Sequence, residues 1–148
     1  MLSSPRFSFN IQRKGGSEDC LKTTCLRGNV FSGKGEGTKF VNLSWSRKQI
    51  EEKLGFTPYS GTLNIRLDGK SIKMRKALMD AKGIEILSSP GFCRGKIFQA
   101  SIMNMKCAVV IPEVPGYPED VLEVVASTSL REKLHLADDS MVEVKVTF

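Results

Sequence analysis

A mainly β fold, closed into a small barrel, is what this sequence predicts, and three observations carry it. Short apolar stretches fill the second half of the chain, at residues 84–87, 96–103, 107–111, 121–125 and 142–148. Pro90-Gly91, Pro112, Pro115-Gly116 and Asp138-Asp139 punctuate them, as turns punctuate strands. Residues 62–67 alternate strictly, with Thr62, Asn64 and Arg66 on one face and Leu63, Ile65 and Leu67 on the other. Many short strands joined in this way remove their exposed edges by closing on themselves.

In chain order, residues 1–25 have weak periodicity and a Lys14-Gly15-Gly16-Ser17 break. They read as a flexible N-terminal tail, with at most one short strand at residues 7–11. Residues 26–148 read as the barrel domain, opening on a strand at 28–31. Gly33-Lys34-Gly35-Glu36-Gly37-Thr38 follows as a loop, and residues 39–43 as a strand. A helix is expected over 47–54, with Ser46 and Gln49 as a capping box, Ile50 and Leu54 as the apolar stripe and Gly55 as the left-handed stop. Pro58 and Gly61 mark a turn before the alternating strand, and Asp68-Gly69 a turn after it. The basic run Lys70, Lys73, Arg75, Lys76 and Lys82 fits a solvated loop or short helix. One further helix is expected over 129–134, capped by Ser127 or Thr128.

With 148 residues, 41% hydrophobic and 26% charged, the chain is one globular domain able to bury a core. No apolar run approaches the roughly 20 residues needed to span a bilayer, so no membrane role is expected. The net charge of +6 suits an anionic partner, and nucleotides, phosphates and nucleic acid all qualify. Cys20, Cys25, Cys93 and Cys107 form no C-x-x-C pair and His135 is remote from them, which argues against structural zinc. With no secretory signal visible, reduced thiols in a cytoplasmic protein are the simplest expectation. Arg6, Arg13, Lys14 and several serines without acids give the start a distant look of a transit peptide.

Two stretches carry chemistry. In residues 33–38 three alternate glycines let backbone amides approach an anion. The spacing is neither a Walker loop nor a dinucleotide fingerprint, and a glycine-rich hairpin without ligand fits it equally. On the alternating strand, the hydroxyl of Thr62, the amide of Asn64 and the guanidinium of Arg66 form a polar row able to hold a hard cation or a phosphate. A solvated face fits the same residues. Glu123 stands among Val121, Leu122, Val124 and Val125, and a carboxylate buried there needs a donor. A basic side chain is the structural option.

Several segments, in order, resemble the archaeal-type CTP-dependent riboflavin kinases. They are residues 33–38, then Leu54-Gly55-Phe56-Thr57-Pro58-Tyr59-Ser60-Gly61-Thr62-Leu63-Asn64-Ile65-Arg66-Leu67. Gly91-Phe92 and Lys96-Ile97-Phe98 fit more loosely. The last block runs from Pro112 through Tyr117 and Asp120-Val121-Leu122-Glu123 to Ala126, then Leu130-Arg131. The resemblance covers about residues 28–147.

It implies a six-stranded cradle-loop-type β-barrel with one or two short helices, and transfer of the CTP γ-phosphate to the ribityl 5′-hydroxyl of riboflavin, giving FMN and CDP. By that resemblance Gly33, Lys34, Gly35, Glu36, Gly37 and Thr38, with Thr128, Ser129, Leu130 and Arg131, contact the nucleotide. Thr62 and Asn64 hold Mg²⁺, Pro115 and Glu123 meet the flavin, and Glu123 ranks first as catalytic base. The partners are CTP/CDP and riboflavin/FMN, with a monomer as the simplest assembly. Where the family carries threonine, this chain has Pro115, which donates no hydrogen bond. Gln99 replaces a glycine and Ser127 a proline, and Ala137 to Ser140 replace a D-G-D turn. The competing readings are a flavin- or nucleotide-binding barrel without turnover and a basic barrel that binds nucleic acid. The latter lacks clustered stacking aromatics.

Overall fold

The computed structural model describes residues 22–33, 36–87 and 94–148. Residues 1–21, including the possible strand at 7–11, together with 34–35 and 88–93, lie outside the described part.

Among the described residues there are seven antiparallel strands: β1 (Thr23–Phe31), β2 (Leu63–Leu67), β3 (Ile84–Ile86), β4 (Gly95–Ile102), β5 (Met105–Pro112), β6 (Val121–Val125) and β7 (Met141–Thr147). Their order is β3-β4-β5-β6-β2-β1-β7, and β7 pairs back onto β4 through Ala100↔Val146 and Ser101↔Lys145. Six strands therefore close into a barrel, as expected. β3 stays outside the ring, lying against the first residues of β4 with Ile84 opposite Ile97.

Alternation places one row of each strand inside. Leu26, Val30, Leu63, Ile65, Phe98, Ile111, Leu122, Val124 and Val144 fill the interior. A second apolar cluster comprises Phe40, Val41, Ile50, Leu54, Ile86, Ile97, Ala108, Val110 and Val125. It lies between the outer wall and two helices, α1 (Glu36–Asn42) and α2 (Ser44–Leu54). That is why β6 is buried along its whole length. An antiparallel strand reads as continuously apolar once both faces are covered.

There are four short helices among the described residues, where one or two were expected. Residues 39–42 lie in α1 and Leu43 caps α2, so no strand forms over 39–43, and Glu36, Gly37 and Thr38 belong to a helix and not to the loop expected over 33–38. α2 starts at Ser44, behind an N-cap at Leu43 that makes no side-chain bond, and Ser46 is buried within it. Gln49, expected in a capping box, instead bonds both the carbonyl (3.0 Å) and the amide (2.8 Å) of Leu87, tying α2 to the end of β3. Gly55 closes the helix in the left-handed conformation, as expected.

Asp68-Gly69 is not a hairpin turn. Asp68 caps α3 (Gly69–Asp80) by accepting from the Ser71 amide at 2.8 Å. Lys70, Lys73, Arg75 and Lys76 of the basic run lie on this helix and Lys82 beyond it, and they are not one solvated face: Arg75 is buried and Lys76 pairs with Glu119. Lys96, reaching from β4, donates to the carbonyls of Met79 (2.5 Å) and Ala81 (2.9 Å) at the end of α3. A cation there satisfies orphan carbonyls and complements the helix dipole. The last helix, α4 (Leu130–Lys133), is capped by Ser129 itself, one residue after the expected caps.

Candidate active site

The polar row faces outward from β2. Thr62 stands just before the strand, and Asn64 lies opposite Glu123 of β6 on one side and Phe31 of β1 on the other. Directly paired residues share a face, so Thr62, Asn64 and Glu123 meet on the outer wall beside α1.

Glu123 is only 2% exposed. Its Oε1 accepts the Thr62 hydroxyl at 2.6 Å, and its Oε2 accepts the hydroxyl of Tyr117. Two hydroxyls thus serve the buried carboxylate, and the buried Arg75 cation, in favourable electrostatic interaction with it, is the basic side chain on that side. Thr38 of α1 lies 3.3 Å from the Thr62 hydroxyl and accepts the Thr62 amide at 3.2 Å. Because the single Thr62 hydrogen points to Glu123, Thr38 donates to Thr62 in that contact. The chain runs Thr38 to Thr62 to Glu123, with Tyr117 joining from the far side.

Pro115 is exposed, in a turn closed by the Tyr117 amide on the Val114 carbonyl at 3.1 Å. Gly116 follows with φ of 80°. Proline followed by a positive-φ glycine is the pattern of a type II turn. Proline there carries no hydroxyl and pre-sets the turn that presents Tyr117.

Behind Tyr117 lies Arg75. Its Nε donates to the Val121 carbonyl at 2.7 Å, and its guanidinium carbon is 5.3 Å from the centre of the Tyr117 ring. Burial pulls its pKa below the usual arginine value, while Tyr117, Asp120, Glu119 and Glu123 act in the opposite sense. Arginine remains protonated in proteins, so this is a buried cation over an aromatic face.

The glycine stretch approaches the same row. A Cβ on Gly33 would lie 2.5 Å from Asn64 Oδ1, so only glycine lets the chain cross the Asn64 amide this closely. Lys34 and Gly35 fall outside the described residues. Thr128, Ser129, Leu130 and Arg131 gather with Thr62, Gly61 and Tyr59 around one pocket of about 190 Å³. The Tyr59 amide donates to Ala126 at 2.7 Å, fixing that wall. Arg131 reaches Asp138 at 3.0 Å and the Phe31 carbonyl at 3.4 Å, tethering the end of β1 just before Gly33. Arg66 does not join the cluster: it stacks 4.3 Å over Phe31 and pairs with Asp120 at 3.4 Å, the outward ion pair.

Among the described residues no three His, Cys, Asp or Glu side chains gather to hold a metal. A shell of that kind is not what Mg²⁺ requires. It keeps several waters and takes one or two protein oxygens beside those of a phosphate. Thr62, whose hydrogen points to Glu123 while its oxygen accepts from Thr38, keeps one lone pair, and Asn64 supplies a carboxamide oxygen held against Gly33. The donor set fits a hard, hydrated cation. Tyr117 and Arg75 had no assigned role in the sequence, although a tyrosine six residues before a buried carboxylate, just after Pro-Gly, is a usable signal.

Fold and site together define a class: a small closed β-barrel with a buried carboxylate, a hydroxyl and an amide grouped on its outer wall next to a glycine turn. Residues 30–146 match the family model CTP-dep_RFKase, described as Domain of unknown function DUF120. The chain belongs to this CTP-dependent riboflavin kinase family. It is 44% identical over 128 residues to a riboflavin kinase of Pyrobaculum aerophilum, covering 82% of this chain and 60% of that protein. It is 42% identical over 128 residues to a riboflavin kinase of Archaeoglobus fulgidus, covering 84% and 55%. A riboflavin kinase of Methanoculleus marisnigri is 40% identical over 129 residues, covering 82% and 57%. The chain therefore spans 55% to 60% of the length of these relatives.

Proposed function

We propose that this barrel is a CTP:riboflavin 5′-phosphotransferase, moving the γ-phosphate of CTP to the ribityl 5′-hydroxyl of riboflavin and releasing FMN and CDP. The observation that carries the reading is the Thr62–Glu123–Asn64 cluster, built beside the Gly33 turn and continuous through Thr62 with the pocket of Thr128 to Arg131. Family membership supplies the substrate class.

Phosphoryl transfer depends on alignment and on neutralising charge on the transferred group. The backbone at Gly33 to Thr38 and at Thr128 to Arg131 binds and orients the nucleotide. Thr62 and Asn64 hold Mg²⁺, which, when bound, screens the phosphate charge. Their neutral oxygens leave that charge available to the phosphates. A carboxylate accepts several hydrogen bonds at once, and in this reading a flavin imide or the attacking hydroxyl donates to Glu123. Glu123 is thus the flavin-side acceptor and the first choice as base, with the Pro115 turn alongside. The same reading places a monomeric enzyme in the cytoplasm. Among the described residues no helix is long and apolar enough to cross a membrane.

The test is direct. The protein is incubated with riboflavin and either CTP or ATP, with and without Mg²⁺, and FMN is followed by chromatography. FMN formed with CTP and Mg²⁺ supports the assignment, whereas ATP used in preference would move it to another donor. Folded protein that binds CTP and yields no FMN would reduce the reading to a binding barrel, with Pro115 the first position to restore to threonine.

A further inference from the structure

We propose that Arg75 and Tyr117 form a two-residue clamp that positions Glu123 for the reaction. Arg75 touches two of the elements that fix Glu123. Its Nε–H holds the Val121 carbonyl, two residues before Glu123 on β6, and its guanidinium lies against the Tyr117 ring. The Tyr117 hydroxyl holds Oε2, which leaves Oε1 to align the Thr62 hydroxyl at 2.6 Å.

The energetic reasoning favours a role beyond packing. An arginine only 3% exposed is costly unless its donors are used. A methionine or leucine would fill the same space between α3 and β6. A cation against an aromatic face restrains the ring without consuming its hydroxyl, so the hydroxyl remains for the carboxylate. Of the basic run on α3, Arg75 is the member spent in this way. Both residues act through Glu123 and are positioning residues. The inference rests on the kinase reading for its consequence, and on geometry alone for the clamp.

The test is a double-mutant cycle of Tyr117→Phe, which keeps the ring, and Arg75→Met. Arg75→Lys replaces the latter if it fails to fold, since it keeps the charge and loses the fork. Two readouts are taken: kcat/KM for riboflavin, and the carboxylate resonance of Glu123 in protein carrying ¹³C at glutamate Cδ, assigned through Glu123→Gln. Each single variant is expected to lower kcat/KM about tenfold or more while CTP affinity holds, because small misplacements are costly in rate. The double variant should be no worse than the poorer single one, since one residue acts through the other. The Glu123 resonance should shift in both variants. Losses that multiply in the double variant, or a Glu123 resonance unmoved by the Arg75 change, would overturn the clamp. No FMN from the wild type would end the kinase reading alone, with the clamp then decided by whether the two variants shift the resonance alike.

Discussion

Thr62 of the β2 approach and Glu123 of β6 are joined by a hydroxyl-to-carboxylate hydrogen bond of 2.6 Å on the outside of the barrel. This bond fixes where the threonine hydrogen points and therefore where its lone pairs face. A hydroxyl committed in that direction is pre-oriented as an oxygen ligand. Glu123 in turn is held on its other oxygen by Tyr117. Pre-orientation of this kind reduces what ligand binding must rearrange.

Gly33 lies against Asn64 on the proposed metal side. A methyl group there would stand 2.5 Å from Asn64 Oδ1 and 2.6 Å from its Cγ. The end of the Asn64 side chain can yield, so Gly33→Ala is expected to fold with a nearly unchanged melting temperature. The displaced carboxamide should raise the Mg²⁺ concentration for half-maximal FMN formation about tenfold. A magnesium titration of both proteins checks this. An unchanged midpoint would take Asn64 out of the metal shell.

Cys107 faces the barrel interior, and burial pushes its thiol up to about 12. The thiolate is the reactive form. Native protein treated with iodoacetamide at neutral pH should therefore carry label on exposed Cys25 and none on Cys107. Labelling of Cys107 should appear only in denaturant, and mass spectrometry of the digested protein reads both. Native labelling of Cys107 would mean that the barrel opens readily.

The strands were legible because alternation survives wherever one face meets the core, as in residues 62–67. Helices α1 and α3 were not, for separate reasons. In α1 the adjacent Phe40 and Val41 are both buried, against α2 and the wall, so a five-residue window shows no period that separates helix from strand. In α3 the fully buried positions Ser71, Arg75 and Leu78 do follow helical spacing, but two of the three are polar. An apolar-periodicity reading passes over them. Thr62, Asn64 and Glu123, the residues of the proposed reaction centre, were singled out by alternation, by burial logic and by a motif. The Tyr117 donor was not, because a type II turn brings it back to Glu123 and no local period encodes that return.

Asp68 gives the fold an acid-sensitive cap. The backbone bond from Ser71 is the main reason its carboxyl titrates below the ordinary 3.8, helped by the Ser71 hydroxyl and opposed by slight desolvation. A depressed folded value means that the contribution is complete above 3.8 and is lost as pH falls through the folded pKa. Asp68→Asn keeps a capping oxygen and removes the titration. Denaturant midpoints measured from about pH 5 down to pH 2 should fall less steeply in this variant than in the wild type. Parallel acid limbs would show that the cap contributes nothing to the pH dependence.

The measurement that bears most directly on the outer-wall cluster as the reaction centre is FMN formation from riboflavin, CTP and Mg²⁺ by the variant carrying both Thr62→Ala and Asn64→Ala. Its folded state is first verified by an unchanged circular dichroism spectrum. A fall in kcat of about 100-fold or more is expected, with riboflavin still bound, because the cation and its alignment supply most of the charge stabilisation in phosphoryl transfer. FMN formed at close to the wild-type rate would contradict the assignment and move the reaction centre away from this face of the barrel.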